Sequence, residues 1–157
     1  EFRRVLFRSF LKERFKDLLE INQCGKPVVQ DRSIYEGVYV FTENNYAMGN
    51  LDTRDYETYM ELFEDLTDIV KLPDLMIYLR SSVSHLVANI EKRGRSYEQK
   101  MPLGYLENIN KRYEDFILNK YKGRVLIVDV DELDYQHNPK DFGMITDKID
   151  RELFGLF

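Results

Sequence analysis

Three short, uninterrupted apolar runs constrain this chain more than any other feature. They are Pro27-Val28-Val29-Gln30, Leu75-Met76-Ile77-Tyr78-Leu79 and Val125-Leu126-Ile127-Val128, and turn or charged residues flank them. Runs of that length without polar alternation are the pattern of strands buried on both faces. Between them lie segments whose apolar residues recur every three or four positions, the mark of amphipathic helices. Strands buried on both faces and separated by helices predict an α/β fold, a parallel sheet in the middle of three layers.

The helical segments have their own punctuation. Leu11, Phe15, Leu18 and Leu19 form the stripe of a first helix, which Gly25 and Pro27 should stop. Residues 34–46 are aromatic-rich and read as helix. Asn50, Asp52 and Thr53 form a turn with a capping residue, and Tyr56, Tyr59, Phe63 and Leu66 continue as a helix that Pro73 closes. Val83 to Lys92 reads as a helix started by Ser81, Ser82 or Ser84. Pro102 suits the first turn of a long helix carrying Tyr105, Ile109, Tyr113, Phe116 and Ile117, which Gly123 ends. Pro139 opens a last helix with Phe142, Ile145, Ile149, Leu153 and Phe154 as its stripe. The 157 residues suffice for one domain, and no internal repeat or linker divides them.

Composition narrows the class. Lys+Arg is 23 against Asp+Glu 28, a formal net charge of −5. A binder of duplex nucleic acid needs a basic surface instead. No apolar run approaches the length of a membrane-spanning helix. The single Cys24 excludes an intramolecular disulfide framework and fits a reducing, cytoplasmic compartment; a buried thiol is the expected state. The first nine residues, EFRRVLFRS, start without Met and carry three arginines against one glutamate. They lack the apolar core and cleavage site of a targeting peptide. They read as a non-native scar, 1–9, joined to a partial domain, 10–157.

Three constellations could carry chemistry. Asp31-Arg32-Ser33 follows the first apolar run, at the carboxyl end of a predicted strand, where open α/β sheets place their sites. The carboxylate could hold Mg²⁺ through water or accept a proton from a hydroxyl. The guanidinium offers a planar donor fork to a phosphate or carboxylate. Equally, Asp31 could cap the next helix while Arg32 makes a surface ion pair. Arg93-Gly94-Arg95 could turn two cations onto one anion, because Gly94 lets the backbone leave the helix; a solvated basic helix end is the alternative. Asp129, Asp131 and Asp134 resemble a calcium loop only superficially, since Asp134 stands where Gly is required and Lys140 where Glu is. A nucleotide-contacting loop or an ordinary acidic turn remains. His85 and His137 have no ligand-spaced partner.

Taken in order, these pieces resemble a family. QDRSIYEGVYVF, PDLMIYL, EKRGRSYEQKMPLGYLENINKRYEDFI and VLIVDVDELDYQHNPKDF, with the final DRELFGLF, are similar to the deoxynucleoside kinases, in the flavour of the bacterial deoxyadenosine/deoxyguanosine kinases. The likeness covers residues 10–157. It implies the P-loop nucleoside kinase type of three-layer sheet. It also implies γ-phosphoryl transfer from ATP, with Mg²⁺, to the 5′-hydroxyl of a deoxynucleoside in nucleotide salvage. By resemblance Asp31 is the proton acceptor or a residue of the Mg²⁺ shell, and Arg32 contacts the 5′ end of the substrate. Arg93 and Arg95 match arginines that close over the phosphates. Glu98 matches a carboxylate that binds the sugar 3′-hydroxyl. The turn Asp131-Glu132-Leu133-Asp134 matches the loop near the donor adenine. Gly37 stands where many members carry an Asp facing the base, and Asn89 where some carry another arginine. Relatives are usually homodimers; neither a nucleic-acid polymer nor a membrane is implied as partner.

One family element is missing: no G-x-x-x-x-G-K-[ST] occurs in the chain. The resemblance therefore implies the carboxyl-terminal portion of a kinase. In the family sheet, the strand leading into the phosphate loop lies between the strand ending at Gln30 and the strand Leu75–Leu79. A gap or an improvised pairing is expected there, with poor solubility and no kinase activity for residues 10–157 alone. Two other readings stay open: a thymidylate kinase-like or pyrimidine deoxynucleoside kinase, and a non-catalytic α/β interaction module.

Overall fold

The computed structural model describes residues 2–95 and 101–155. They fall into two compact units. One comprises residues 1–72 with 111–121; the other comprises 73–110 with 122–157.

The first unit is helical. Helix α1 (Phe2–Cys24) ends at Gly25, as its Gly and Pro predict. Helix α2 spans residues 34–47, with a π-helical stretch at Gly37–Thr42 in its middle. Helix α3 (Thr53–Asp68) is capped by Asp52, whose carboxylate accepts from the Asp55 N–H at 2.8 Å. The later part of α5 (residues 103–120) completes the unit, ending in its own π-helical stretch at Phe116–Lys120. Leu11, Leu18, Ile34, Tyr35, Val38, Val40, Leu51, Tyr59, Phe63, Phe116 and Ile117 are buried. Rings meet one another within this core. Tyr39 lies against Phe63 at 5.4 Å between centroids and against Phe116 at 5.6 Å; Tyr35 meets Phe63 at 5.8 Å. Edge and offset geometries of this kind favour aromatic packing beyond the area removed from water.

The second unit holds a parallel pair of strands, β1 (Met76–Arg80) and β2 (Val125–Asp129), in the register Met76↔Val125 to Arg80↔Asp129. Helix α4 (Val83–Arg93) follows β1, and helix α6 (Pro139–Phe154) follows β2. Val128, Val130 and Ile145 form the buried cluster between strand and helix, with Leu126, Leu133, Tyr135 and Ile149 around them.

Three expectations need correction. The run at 27–30 is no strand, so the sheet has two strands among the described residues rather than three. A strand needs a neighbour's backbone to satisfy its N–H and C=O groups. Among the described residues no backbone pairs with this run, and Val29 is 97% exposed. Cys24 is exposed rather than buried, because it is the last residue of α1, beyond the stripe that Leu11 and Leu18 bury. On α6 only Ile145 of the predicted stripe is buried; Phe142 and Phe154 are 56% and 69% exposed. The two-stranded sheet is too narrow to cover the whole apolar face. A smaller shift concerns Pro102. Its carbonyl accepts from Tyr105 and Leu106, which places it one step before the α5 helix rather than in its first turn.

Candidate functional site

In the helical unit the site begins where the chain enters α2. Asp31 and Arg32 are exposed, and Ser33 is the N-cap. The Ser33 Oγ accepts from the Tyr35 N–H at 3.2 Å, and the Glu36 carboxylate accepts from the Ser33 N–H at 2.6 Å and from the Ser33 hydroxyl. This is a capping box, and it satisfies donors that a helix start leaves open. Capping therefore belongs to Ser33, which leaves Asp31 without that task. Arg32 has φ 61, the one non-glycine residue with positive φ among those described. That conformation costs an ordinary residue about 1–2 kcal/mol. The fixed helix start beyond it holds the strain. Its guanidinium lies over the Phe41 ring at 5.2 Å, about two turns into α2, so the cation is aimed by a ring rather than by a surface carboxylate.

Gly37 is buried on the same helix. A Cβ there would approach the Phe10 ring to 3.2 Å, tighter than a relaxed contact. The space a side chain at position 37 would need is taken by the Phe10 ring of α1.

The sheet unit supplies the second group. Arg80 and Asp129, the last residues of the two strands, form a two-pronged pair at 2.5 and 2.8 Å. Next to it the Asp131 carboxylate accepts from the Ser81 hydroxyl at 2.7 Å and the Ser82 N–H at 3.0 Å. Hydrogen bonds from Ser82 and Ser81 hold the Asp131 carboxyl far down, at about 2. Ser82 is the N-cap of α4, and the helix ends at Gly94, φ 67, in the left-handed region that glycine enters freely. Arg93 is the last residue of α4, and Arg95 follows the glycine; both are exposed. Leu133 packs against the Val128–Val130–Ile145 cluster.

The predicted site residues thus fall into two sets, Asp31, Arg32 and Gly37 in the helical unit, and Arg93, Arg95, Asp131 and Leu133 in the sheet unit. Glu98 lies outside the described residues.

A match to the family model for deoxynucleoside kinases extends over residues 5–154 and takes in every one of these positions. The chain belongs to the deoxynucleoside kinase family. The match begins inside the first nine residues. The chain is 34% identical over 142 residues to the deoxyadenosine/deoxycytidine kinase of Bacillus subtilis (strain 168), covering 89% of this chain and 65% of that protein. It is 34% identical over 145 residues to the deoxyguanosine kinase of the same organism, covering 87% and 67%. Among solved structures it resembles the deoxyadenosine kinase from M. mycoides with bound dATP, with a TM-score of 0.74 and 32% identity. That likeness covers 92% of this chain and 72% of the other. The chain spans about two thirds of these kinases, and the alignments fall on their carboxyl-terminal portion.

Several residues of this deoxynucleoside kinase chain escaped sequence reasoning. Glu36 had a legible signal, since Ser33-x-x-Glu36 is a capping-box spacing. The ion cluster around Glu43 had none. The Lys120 ammonium donates to both its oxygens at 2.7 and 2.6 Å, and the Arg112 guanidinium donates at 3.4 Å, across almost eighty residues of sequence. Burial disfavours the Lys120 charge, but the Glu43 and Asp115 carboxylates outweigh it and raise its pKa. The Arg112 Nε donates at 3.1 Å to the buried Asn44. This cluster ties α5 to α2 within the helical unit. No helix among the described residues is long and apolar enough to cross a membrane.

Proposed function

We propose that the whole protein transfers the γ-phosphoryl group of ATP to the 5′-hydroxyl of a deoxynucleoside, with a purine preferred. The observation that carries this reading is the entrance to α2. An exposed carboxylate and a strained arginine stand side by side, and neither is spent on capping the helix. Kinases of this family use ATP, and transfer between oxygens needs a group to receive the hydroxyl proton and cations to offset charge on the phosphoryl oxygens.

In this reading Asp31 receives the 5′-hydroxyl proton or completes the Mg²⁺ shell, and Arg32 steadies the 5′ end of the substrate. Among the described residues no group of three or more His, Cys, Asp or Glu could hold a metal ion on its own. Mg²⁺ carried with a nucleotide needs only one or two carboxylates, the rest being phosphate and water, and the exposed Asp31 can supply one. Arg93 and Arg95 stabilise the transferring group. Glu98 binds the 3′-hydroxyl. The turn from Asp131 to Asp134, Leu133 included, lies near the donor base. With Gly37 packed under Phe10, base selection falls to other residues or is looser.

The test is an assay of the whole protein with ATP, Mg²⁺ and each deoxynucleoside. Deoxyadenosine and deoxyguanosine should be phosphorylated in preference to deoxycytidine and thymidine, and Asp31→Asn should nearly abolish turnover while leaving the melting temperature unchanged. Phosphorylation of a nucleoside monophosphate but of no nucleoside would move the assignment to a thymidylate kinase-like enzyme. Binding without turnover, under all conditions, would make it an interaction module.

A further inference from the structure

Helix α4 has eleven residues and no buried side chain. Most helices in proteins are held in place by a buried apolar stripe, and here that stripe, Val83, Leu86, Val87 and Ile90, is only half-buried. A polar fastening at its base adds to that thin stripe. The Asp131 carboxylate, fifty residues away in sequence, takes the Ser81 hydroxyl at 2.7 Å and the Ser82 N–H at 3.0 and 3.2 Å. Ser82 in turn caps the helix, accepting from the His85 N–H at 3.3 Å. At the other end, about 16 Å along a helix of this length, stand Arg93 and, past Gly94, Arg95. A small change of angle at the base therefore becomes a displacement of both guanidinium groups.

We propose that Asp131 is a positioning residue. Its carboxylate latches the Ser81–Ser82 turn to the end of β2 and so sets the direction of α4 and of the arginine pair that α4 carries. This rests on the phosphate-facing role proposed above for Arg93 and Arg95. The Asp131 side chain reaches into the β1–α4 turn, where Ser81 and Ser82 occupy it, so its part in the reaction is exerted through the arginines.

Two measurements test this. In the whole protein, residual dipolar couplings of the α4 amides are read against those of β1, β2 and α6 for Asp131→Ala, Asp131→Asn and Ser81→Ala. Asp131→Ala should reorient α4 alone. Asp131→Asn, which keeps an acceptor oxygen, should restore most of the native couplings, and Ser81→Ala should shift them less than Asp131→Ala does. In the whole protein, Asp131→Ala should lower kcat about tenfold, since small misplacements of a charged donor cost up to about 10²-fold. The deoxynucleoside KM should stay within about twofold, and the Asn variant should recover the rate. Unchanged α4 couplings in Asp131→Ala would overturn the latch. Changed couplings with wild-type kcat would overturn its kinetic role; the cost of Arg93→Ala then decides whether the arginine assignment falls with it or stands alone.

Discussion

In the helical unit the buried side chains include four rings, Tyr35, Tyr59, Phe63 and Phe116, among aliphatic residues such as Leu11, Leu18, Ile34, Val38 and Val40. In the sheet unit the buried hydrophobic residues among those described are Met76, Val128, Val130 and Ile145. The sheet unit relies on polar fastenings instead: Arg80 to Asp129, Asp131 to Ser81 and Ser82, and Arg124 to Glu152. The difference follows from geometry. Helices of unequal pitch interdigitate side chains on several faces and can enclose bulky rings. A two-stranded sheet offers one narrow apolar face to one helix, so its loops must be held by hydrogen bonds at the strand ends. Exposed polar contacts of this kind are individually weak. The sheet unit should therefore be the more responsive to solvent conditions.

The sharpest way to break the comparison is Phe63→Ala. This side chain is 1% exposed and meets the rings of Tyr35 and Tyr39. Its truncation should cost about 3–5 kcal/mol in urea unfolding followed by far-UV circular dichroism. A loss under about 1 kcal/mol would mean that the aromatic core does not hold the helical unit. Arg93→Ala or Arg95→Ala, exposed in the sheet unit, should leave unfolding unchanged. In the whole protein either change should cost about 2.7–4 kcal/mol of transition-state stabilisation, seen in kcat rather than in deoxynucleoside binding. Equal rates with and without the arginines would place them outside the reaction. Ile145→Val trims one methylene from the thin cluster on β2. It should cost about 0.5–1.5 kcal/mol, read by faster hydrogen exchange at the Val128 and Val130 amides. If those amides are unaffected, α6 contributes less to the sheet than its packing indicates.

The smallest effect is on pH. Asp131 titrates at about 2 in the fold against the ordinary 3.8 because Ser82 and Ser81 donate to it. Asp129 and Asp134 are also lowered, through Arg80 and His137 respectively. A carboxyl lowered by folding stabilises the fold above its unfolded pKa, and that contribution is lost as the pH falls through the folded value. Between about pH 4 and pH 2 the Ser82 amide should lose protection before the amides of Val38 and Val40 do. The reverse order, measured by hydrogen exchange in that window, would show that the polar fastenings are not the acid-sensitive part.

Much of this was legible in the residues themselves. The 3.6-residue stripe of α1, a cap within the turn of Asn50, Asp52 and Thr53, another among Ser81, Ser82 and Ser84, the break at Gly94 and the strands of the sheet unit follow from local rules of period and backbone freedom. Those rules act within a few residues and need no partner. The motif residues Asp31, Arg32, Arg93 and Arg95 were equally visible, as was the family. What local rules could not provide was anything that depends on a distant neighbour. Val28 and Val29 carry the pattern of a strand, yet a strand exists only when another backbone completes its hydrogen bonds, and none does. Asp131 reads as one acid among several in a turn; only folding brings Ser81 and Ser82 to it across fifty residues. Arg32 reads as a donor fork for an anion or as half of a surface ion pair, and only the turn of α2 sets Phe41 beneath it. The sequence alone determined which segments coil, where they stop and which reactive groups they carry. The tertiary structure decided which of those groups are spent on holding the fold and which are left for chemistry, because that choice depends on contacts between residues far apart in the chain.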